Sequence, residues 1–298
     1  MTISGNAPAQ ITLFLMTEKG FRALQHVAAH LDKVVVARVV GARDKNLTRD
    51  YYDEIRDLCA RENIPFQDRT EPLPAPTTYA LAVAWRWLIA DVGTLIVLHD
   101  SLLPRYRGFA PLVSCLLNGE PEIGVTALFA SDDYDQGSVL DQAARPVRYP
   151  IRIAEATDLA VECYLELLTK LWPSLHAGQL PPATPQREAD ATYSLWRDEH
   201  DYRIDWRRDS GYLRRFIDAL GTPYQGASTL LAGQRYRVLA AEPEPDVLIE
   251  NRTPGKVIFV RAGQPVVVCG TGLLRLTALR TDDGAEALPL PHFRSRFE

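Results

Sequence analysis

The 298-residue chain is 46% hydrophobic and 24% charged, the make-up of an ordinary globular protein and not of a disordered, collagenous or coiled-coil chain; its length suits two domains. Thirty-three Lys and Arg against 38 Asp and Glu leave a net charge of −5, and the 15 basic and 15 acidic residues from Ala189 onward place the whole deficit in the first 188 residues. Without a basic excess in either half the chain is a poor candidate for gripping a long nucleic acid, although a few local Arg or Lys suffice for one diphosphate. No apolar run approaches the roughly 18–20 residues of a membrane helix. Residues 1–16 lack the basic start and long apolar core of a signal peptide. Cys59, Cys115, Cys163 and Cys269 are widely spaced with no CxxC pair, which reads as reduced, cytoplasmic thiols rather than a disulfide frame or zinc site.

Along the chain, strand and helix patterns alternate for the first 170 residues. Apolar, often β-branched runs at 11–16, 34–40, 79–85, 94–98 and 124–130 read as strands, with a further strand at 138–147. Helical stretches are expected at 20–31, 48–63 (with Thr48 as N-cap), 111–118 and 153–172. Such alternation predicts a mainly parallel sheet covered on both faces. Residues 173–191 carry Pro181, Pro182 and Pro185 and read as a linker. Beyond it, short β-like pieces at 234–239, 255–260, 266–269 and 273–279, with one helix at 211–220, predict a small barrel or sandwich. The boundary falls near residue 188: a domain at 1–188 and a second at 189–298.

Chemistry concentrates at one strand end. No GxGxxG follows the first strand, and no P-loop is present. Residues 94–98 run instead into His99-Asp100-Ser101-Leu102-Leu103-Pro104-Arg105-Tyr106-Arg107-Gly108. In an open parallel sheet the C-terminal strand ends line the binding crevice, which suits His99 to acid–base work; on position alone it is also a satisfied histidine closing a strand. Ser131-Asp132-Asp133-Tyr134-Asp135-Gln136-Gly137, past another strand, is either a solvated acidic loop or the source of a carboxylate that orients His99.

Taken in order, His99-Asp100-Ser101-Leu102-Leu103-Pro104-x-x-Arg107-Gly108-x-x-Pro111, Asn118-Gly119-Glu120, Gly124-Val125-Thr126 and Asp135-x-Gly137-x-x-x-x-Gln142 resemble the folate-dependent formyltransferase family. In the second half, Tyr202-Arg203-Ile204-Asp205-Trp206, Pro223-Tyr224-Gln225-Gly226-Ala227 and Thr253-Pro254-Gly255 resemble the same family's C-terminal domain. Residues 193–199 are more similar to its amino-sugar branch than to its tRNA branch.

The resemblance implies a Rossmann-like catalytic domain followed by a small OB-like β-barrel. It also implies attack of a primary amine on the formyl carbon of N10-formyltetrahydrofolate through a tetrahedral intermediate, with no metal. On that template His99 manages the amine proton and Asp135 orients His99. Trp85, Arg86, Trp87 and Leu88 match the segment enclosing the pterin, largely through backbone groups. Leu102, Leu103 and Pro104 match the opposite wall, closed by Asp132, Asp133 and Asp135. Lys19 and Arg107, with Gly108, are candidates for the acceptor. Lys19 is otherwise a solvated loop lysine, and Arg107 a side chain that pins its own loop. The sugar branch implies a homodimer and a nucleotide-linked amino-sugar acceptor, with a hydroxyornithine or another small amine as the rival.

One position departs from the family pattern. The catalytic asparagine lies two residues before the histidine, where this chain has Val97, and no asparagine occurs between Asn63 and Asn118. A missing oxyanion donor typically costs about 10²–10³ in rate. Three accounts stay open: His99 or a backbone N–H supplies the contact, the chain binds ligand without transfer, or the site hydrolyses the formyl-folate.

Overall fold

The computed structural model describes residues 9–45, 47, 49–90 and 92–298. They form two compact units. The first holds the chain up to Pro111, Glu122–Pro146 and Thr157–Ser194; the second holds Leu112–Pro121, Val147–Ala156 and Leu195–Glu298.

In the first unit β1 (Ile11–Leu15), β2 (Val36–Gly41), β3 (Phe66–Asp68), β4 (Tyr79–Val83) and β5 (Thr94–His99) pair in parallel. The short β6 (Arg107–Gly108) lies outside that sheet, and β7 (Glu122–Phe129) and β8 (Val139–Pro146) extend it antiparallel. The order is β3-β2-β1-β4-β5-β7-β8. Every residue of β1 and β4 is buried, the continuous apolar signature of strands covered on both faces. Helices α1 (Thr17–His30) and α2 (Tyr52–Glu62) pack on each other and on these strands. Chain order reverses between β1 and β4, and the ends of β1, β4 and β5 lead into the loops singled out in the sequence. That edge is where such sheets bind ligands.

Helices α3 (Pro111–Asn118) and α4 (Ile153–Ala177) follow the expected positions, but α4 continues through Pro173 into the expected linker. Proline in a helix removes an N–H; Leu171, Trp172 and Leu175 are buried on either side of it, so apolar burial outweighs the missing bond. The first helix starts at Thr17, three residues before the apolar periodicity suggests. Thr48 lies outside the described residues; α2 begins at Tyr52, whose N–H is accepted by Asp50 at 3.1 Å.

The second unit resolves the choice between barrel and sandwich. Besides α5 (Ser210–Ala219), β10 (Ala227–Leu231), β11 (Gln234–Glu244), β12 (Val257–Arg261), β13 (Gln264–Val268) and β14 (Leu273–Thr281) form one antiparallel sheet, β10-β11-β14-β13-β12. Residues 295–298 bridge its two edges. Leu230 and Glu298 exchange backbone bonds of 2.8 and 2.9 Å, and Val257 donates to Ser295 at 3.0 Å. A strand edge left open invites foreign pairing, so the C-terminus closes the sheet on itself. Phe297, 2% exposed, anchors that closure against Trp206, with ring centroids 5.7 Å apart. Phe297→Ala is expected to cost about 3–5 kcal/mol, read as a lower denaturation midpoint; a loss under ~1 kcal/mol would show that the barrel closes without this anchor.

Candidate active site

His99 ends β5, and its ring is 8% exposed. Its Nε2 lies 2.8 Å from the Tyr106 carbonyl, which can only accept, so Nε2 carries a proton. Nδ1 lies 3.4 Å from Asp135 Oδ1. Both ring nitrogens therefore face oxygen acceptors, and a proton gained at Nδ1 meets a carboxylate.

Asp135 reaches this point by an indirect route. The loop after β7 leaves the sheet beside Leu95, where Ala130 donates to the Leu95 carbonyl at 2.9 Å, several residues below His99. It then folds back. Gln186 Nε2 ties it down by donating to the carbonyls of Asp135 and Gly137 at 2.7 and 2.8 Å. Asp135 has φ of +58°, a conformation Asp tolerates better than most residues. Its second oxygen accepts the Gly108 N–H at 2.8 Å. Gly108 has φ of +96°, and a Cβ there would stand 2.6 Å from the Ser194 carbonyl; only glycine fits.

The loop between them is held by a row of polar residues across the antiparallel strands. His99 pairs with Thr126 on β7, and Thr126 with Gln142 on β8. The fully buried Thr126 hydroxyl donates to the Ser101 carbonyl at 2.6 Å. It accepts the Leu103 N–H at 3.0 Å and the Gln142 amide at 2.8 Å, while that amide also reaches the Leu103 carbonyl at 2.9 Å. Leu102 packs over Gly124, where a Cβ would meet it at 2.5 Å. Leu103 is buried and Pro104 half-buried.

The two candidate cations for the acceptor are engaged within the protein. Lys19, in the first turn of α1, forms an ion pair with Asp100. Arg107, 1% exposed, donates to Glu188 at 2.7 Å, Gln186 at 3.1 Å and Tyr193 at 3.1 Å. These bonds join β6 to β9 (Tyr193–Ser194), its parallel partner. Arg107 thus pins its own loop through side chains rather than backbone carbonyls. Phe109 and Tyr134, 40% and 54% exposed, flank Gly108 and Asp135 with ring centroids 5.7 Å apart. Asp132 and Asp133 are exposed on the same loop.

The aromatic segment after β4 lies over an apolar cluster that includes Phe14 and Ala82, against which Val97 also packs. Trp85 meets Phe14 edge-on at 5.1 Å and Trp87 at 5.5 Å, and Arg69 sits 4.1 Å over the Trp87 ring. The indole N–H of Trp85 is buried with no acceptor among the described residues. Arg86 turns away, gripping the buried Asp44 with bonds of 2.9 and 2.8 Å, and Leu88 is 77% exposed.

Sequence reasoning passes over Thr126, Gln142 and Gln186 as site residues. The first two stand in the quoted motifs but carry no charge, and Gln186 lies within the expected linker, about 50 residues from its partners.

The Formyl transferase family pattern matches residues 80–156, and the pattern of the formyl transferase C-terminal domain matches residues 197–293. Methionyl-tRNA formyltransferase of Stenotrophomonas maltophilia is 31% identical over 82% of this chain and 78% of its own length. That of Streptococcus sanguinis is 29% identical over 65% of the chain; the match spans 60% of its length. Among solved structures, an N-formyltransferase from Helicobacter canadensis, bound to folinic acid and dTDP-3-aminofucose, matches 90% of this chain and 99% of its own. The identity is 14% and the TM-score 0.68. HypX from Aquifex aeolicus, bound to tetrahydrofolic acid, matches 93% of the chain at 20% identity and TM-score 0.60; the chain spans 44% of HypX.

Thr126→Val, nearly isosteric, leaves the Leu103 N–H and the Ser101 carbonyl without their partner. It is expected to lower stability by about 2 kcal/mol in urea unfolding; a change within ~0.5 kcal/mol would mean that the loop is held by other bonds.

Proposed function

This chain belongs to the formyl transferase family, and on that premise we propose that it transfers a formyl group from N10-formyltetrahydrofolate to a primary amine on a nucleotide-linked sugar. The observation that carries the reading is the contact between His99 and Asp135, brought together by loops that start some 30 residues apart. An apparatus of this kind, braced by Gly108, Thr126 and Gln186, suits a proton-transfer task. The folate and nucleotide-sugar ligands of the Helicobacter canadensis neighbour support the choice of donor and acceptor.

The residues present fit a folate. A pterin needs an apolar wall and a few polar contacts. Trp85 and Val97 against the Phe14 cluster, with Trp87 beside Trp85, offer the wall, and the unsatisfied Trp85 N–H offers a donor. To the facing wall we assign Leu102, Leu103 and Pro104, and to its closure the loop of Asp132, Asp133 and Asp135. N10-formyltetrahydrofolate supplies an activated one-carbon acyl group.

The chain's own residues do the rest. His99 takes the proton that the amine loses as it attacks, Asp135 meets that proton's charge at Nδ1, and His99 returns the proton to N10 of the departing tetrahydrofolate as its bond to the formyl carbon breaks. Asp135 also keeps the Gly108 N–H in place, which fixes the loop on which His99 leans. Phe109 and Tyr134 present their exposed rings to the acceptor. Val97 offers no hydrogen bond to the negative charge growing on the formyl oxygen, so that burden falls on His99. We assign the transfer chemistry to residues 1–188. We assign no chemical step to the barrel of residues 189–298, and take the working form to be a homodimer.

The test is tetrahydrofolate release from N10-formyltetrahydrofolate with a panel of nucleotide-linked amino sugars, a hydroxyornithine arm and a no-acceptor control. Acceptor-dependent release that falls at least about 10²-fold in His99→Ala is expected. Val97→Asn is expected to raise the rate by restoring a donor, by up to about 10²-fold. Binding without turnover on any amine would instead make this a ligand-binding relative, and release without acceptor a hydrolase.

A further inference from the structure

A second charged cluster lies directly behind His99, and the transfer step as described leaves it unused. Asp100, the next residue, directs its carboxylate back into the unit, with a side chain only 15% exposed. One oxygen pairs with Lys19 of α1, itself 14% exposed. The other accepts the Tyr164 hydroxyl of α4 at 2.6 Å. That hydroxyl also lies 3.2 Å from the Leu98 carbonyl, and Tyr164 is fully buried. Leu98 and Asp100 flank His99 in sequence, so one phenol holds the backbone before it and the side chain after it.

We propose that Lys19 and Asp100 are positioning residues for formyl transfer, a charge-compensated pair in which each member keeps the other's charge from biasing His99, with Tyr164 locking the pair to the strand end. The inference rests on His99 being the proton-handling group. Three features carry it. Burying a carboxylate is costly unless it is paired and hydrogen-bonded, yet a strand end alone needs no carboxylate at all. The pair's two charges come from separate elements and meet only beside His99. Finally, with Val97 unable to donate, the charge of His99 matters more than it would beside an amide.

The titratable and charged groups around this strand end are few. Asp135 faces Nδ1 from the loop after β7, Asp100 follows in the chain, and Lys19 and Tyr164 come from α1 and α4. Burial would raise the Asp100 carboxyl, but the attraction of Lys19 and the hydrogen bonds from Lys19 and Tyr164 outweigh it and hold it below its ordinary range. Burial and Asp100 push the Tyr164 hydroxyl well up, and burial pushes the Cys163 thiol to about 11; both stay neutral near pH 7. Tyr106 and Thr126 face the ring with uncharged groups. Near neutral pH the cluster therefore presents one cation and one anion that cancel.

The consequence is a signature of opposite signs. Lys19→Met leaves the Asp100 anion uncancelled and should raise the titration midpoint of His99. Asp100→Asn leaves the Lys19 cation and should lower it. Each shift is expected to reach at least about half a pH unit. In Lys19→Met/Asp100→Asn the midpoint should return to the wild-type value. The measurement is the NMR titration of histidine-labelled full-length protein, with His99 assigned through His99→Gln. It needs no turnover, so it stands apart from the question of whether the chain transfers formyl groups. Where the wild type turns over, the acidic limb of kcat/KM against pH should move in the same directions. Shifts of equal sign in the two single variants, or none beyond ~0.2 pH unit, would overturn the proposal and leave the cluster as a strut. If Lys19→Met fails to fold, the sign in Asp100→Asn decides: a downward shift sustains the proposal, and an upward shift or none overturns it. Tyr164→Phe keeps both charges and should lower thermal stability with little change in the midpoint; a large change would overturn the division of roles.

Discussion

The site closes on the carboxylate of Asp135. One of its oxygens faces His99 Nδ1 and the other receives the Gly108 N–H, so a single side chain joins the end of β5, the loop before α3 and the loop after β7. A carboxylate has capacity for several donors, and a bond to charge is worth more than a neutral one. That capacity lets one residue orient a ring and fix a backbone together. The geometry demands glycine at 108, because any Cβ would collide with Ser194. It also demands the return path of the 130–138 loop, which Gln186 secures. Remove the carboxylate and the three segments lose their common point.

The antiparallel edge of the sheet makes this possible. A purely parallel sheet would follow β5 with a crossover and leave its far side to another parallel strand. Here β7 and β8 run back along β5, and cross-strand neighbours on such a ladder share a face. His99, Thr126 and Gln142 consequently stand in one row. The hydroxyl in the middle both donates and accepts, so it can bind the carbonyl of Ser101 and the N–H of Leu103 at once. The loop that carries Leu102, Leu103 and Pro104 is thereby bonded to the sheet at two successive turns of its backbone. Its conformation is set before any ligand arrives.

Much of the fold is legible in the sequence, because apolar runs of five or six residues and amphipathic helices leave periodic traces. Strands of two or three residues, such as 66–68, 107–108 and 193–194, leave none; they exist because a neighbour pairs with them. The closure of the barrel is illegible for the same reason, since Phe297 is one aromatic residue near the chain's end until its partners are known. At the site, the residue types are readable but their reach is not. Nothing in the spacing between His99 and Asp135 says that the intervening loop doubles back. Charge alone does not tell a cation's partner: Lys19 is paired with Asp100, and Arg107 with Glu188 in the loop it pins.

Val97 draws these threads together. On β5 it lies on the same face as His99 and packs with Trp85 against the cluster around Phe14. An amide there would have to find its partners in a ligand or remain unsatisfied in apolar surroundings, at a cost of about 1–3 kcal/mol. The valine avoids that cost and keeps the packing beside Trp85 apolar at this position. On the proposed transfer it also removes a fixed dipole from the place where charge would develop. What remains to meet that charge is the ring of His99, whose state depends on Asp135 in front and on the Lys19–Asp100 pair behind. In such a site the cancellation of those two buried charges carries more of the electrostatic work than it would beside an asparagine, since an unbalanced charge next to a lone imidazole acts on it through a poorly screened interior.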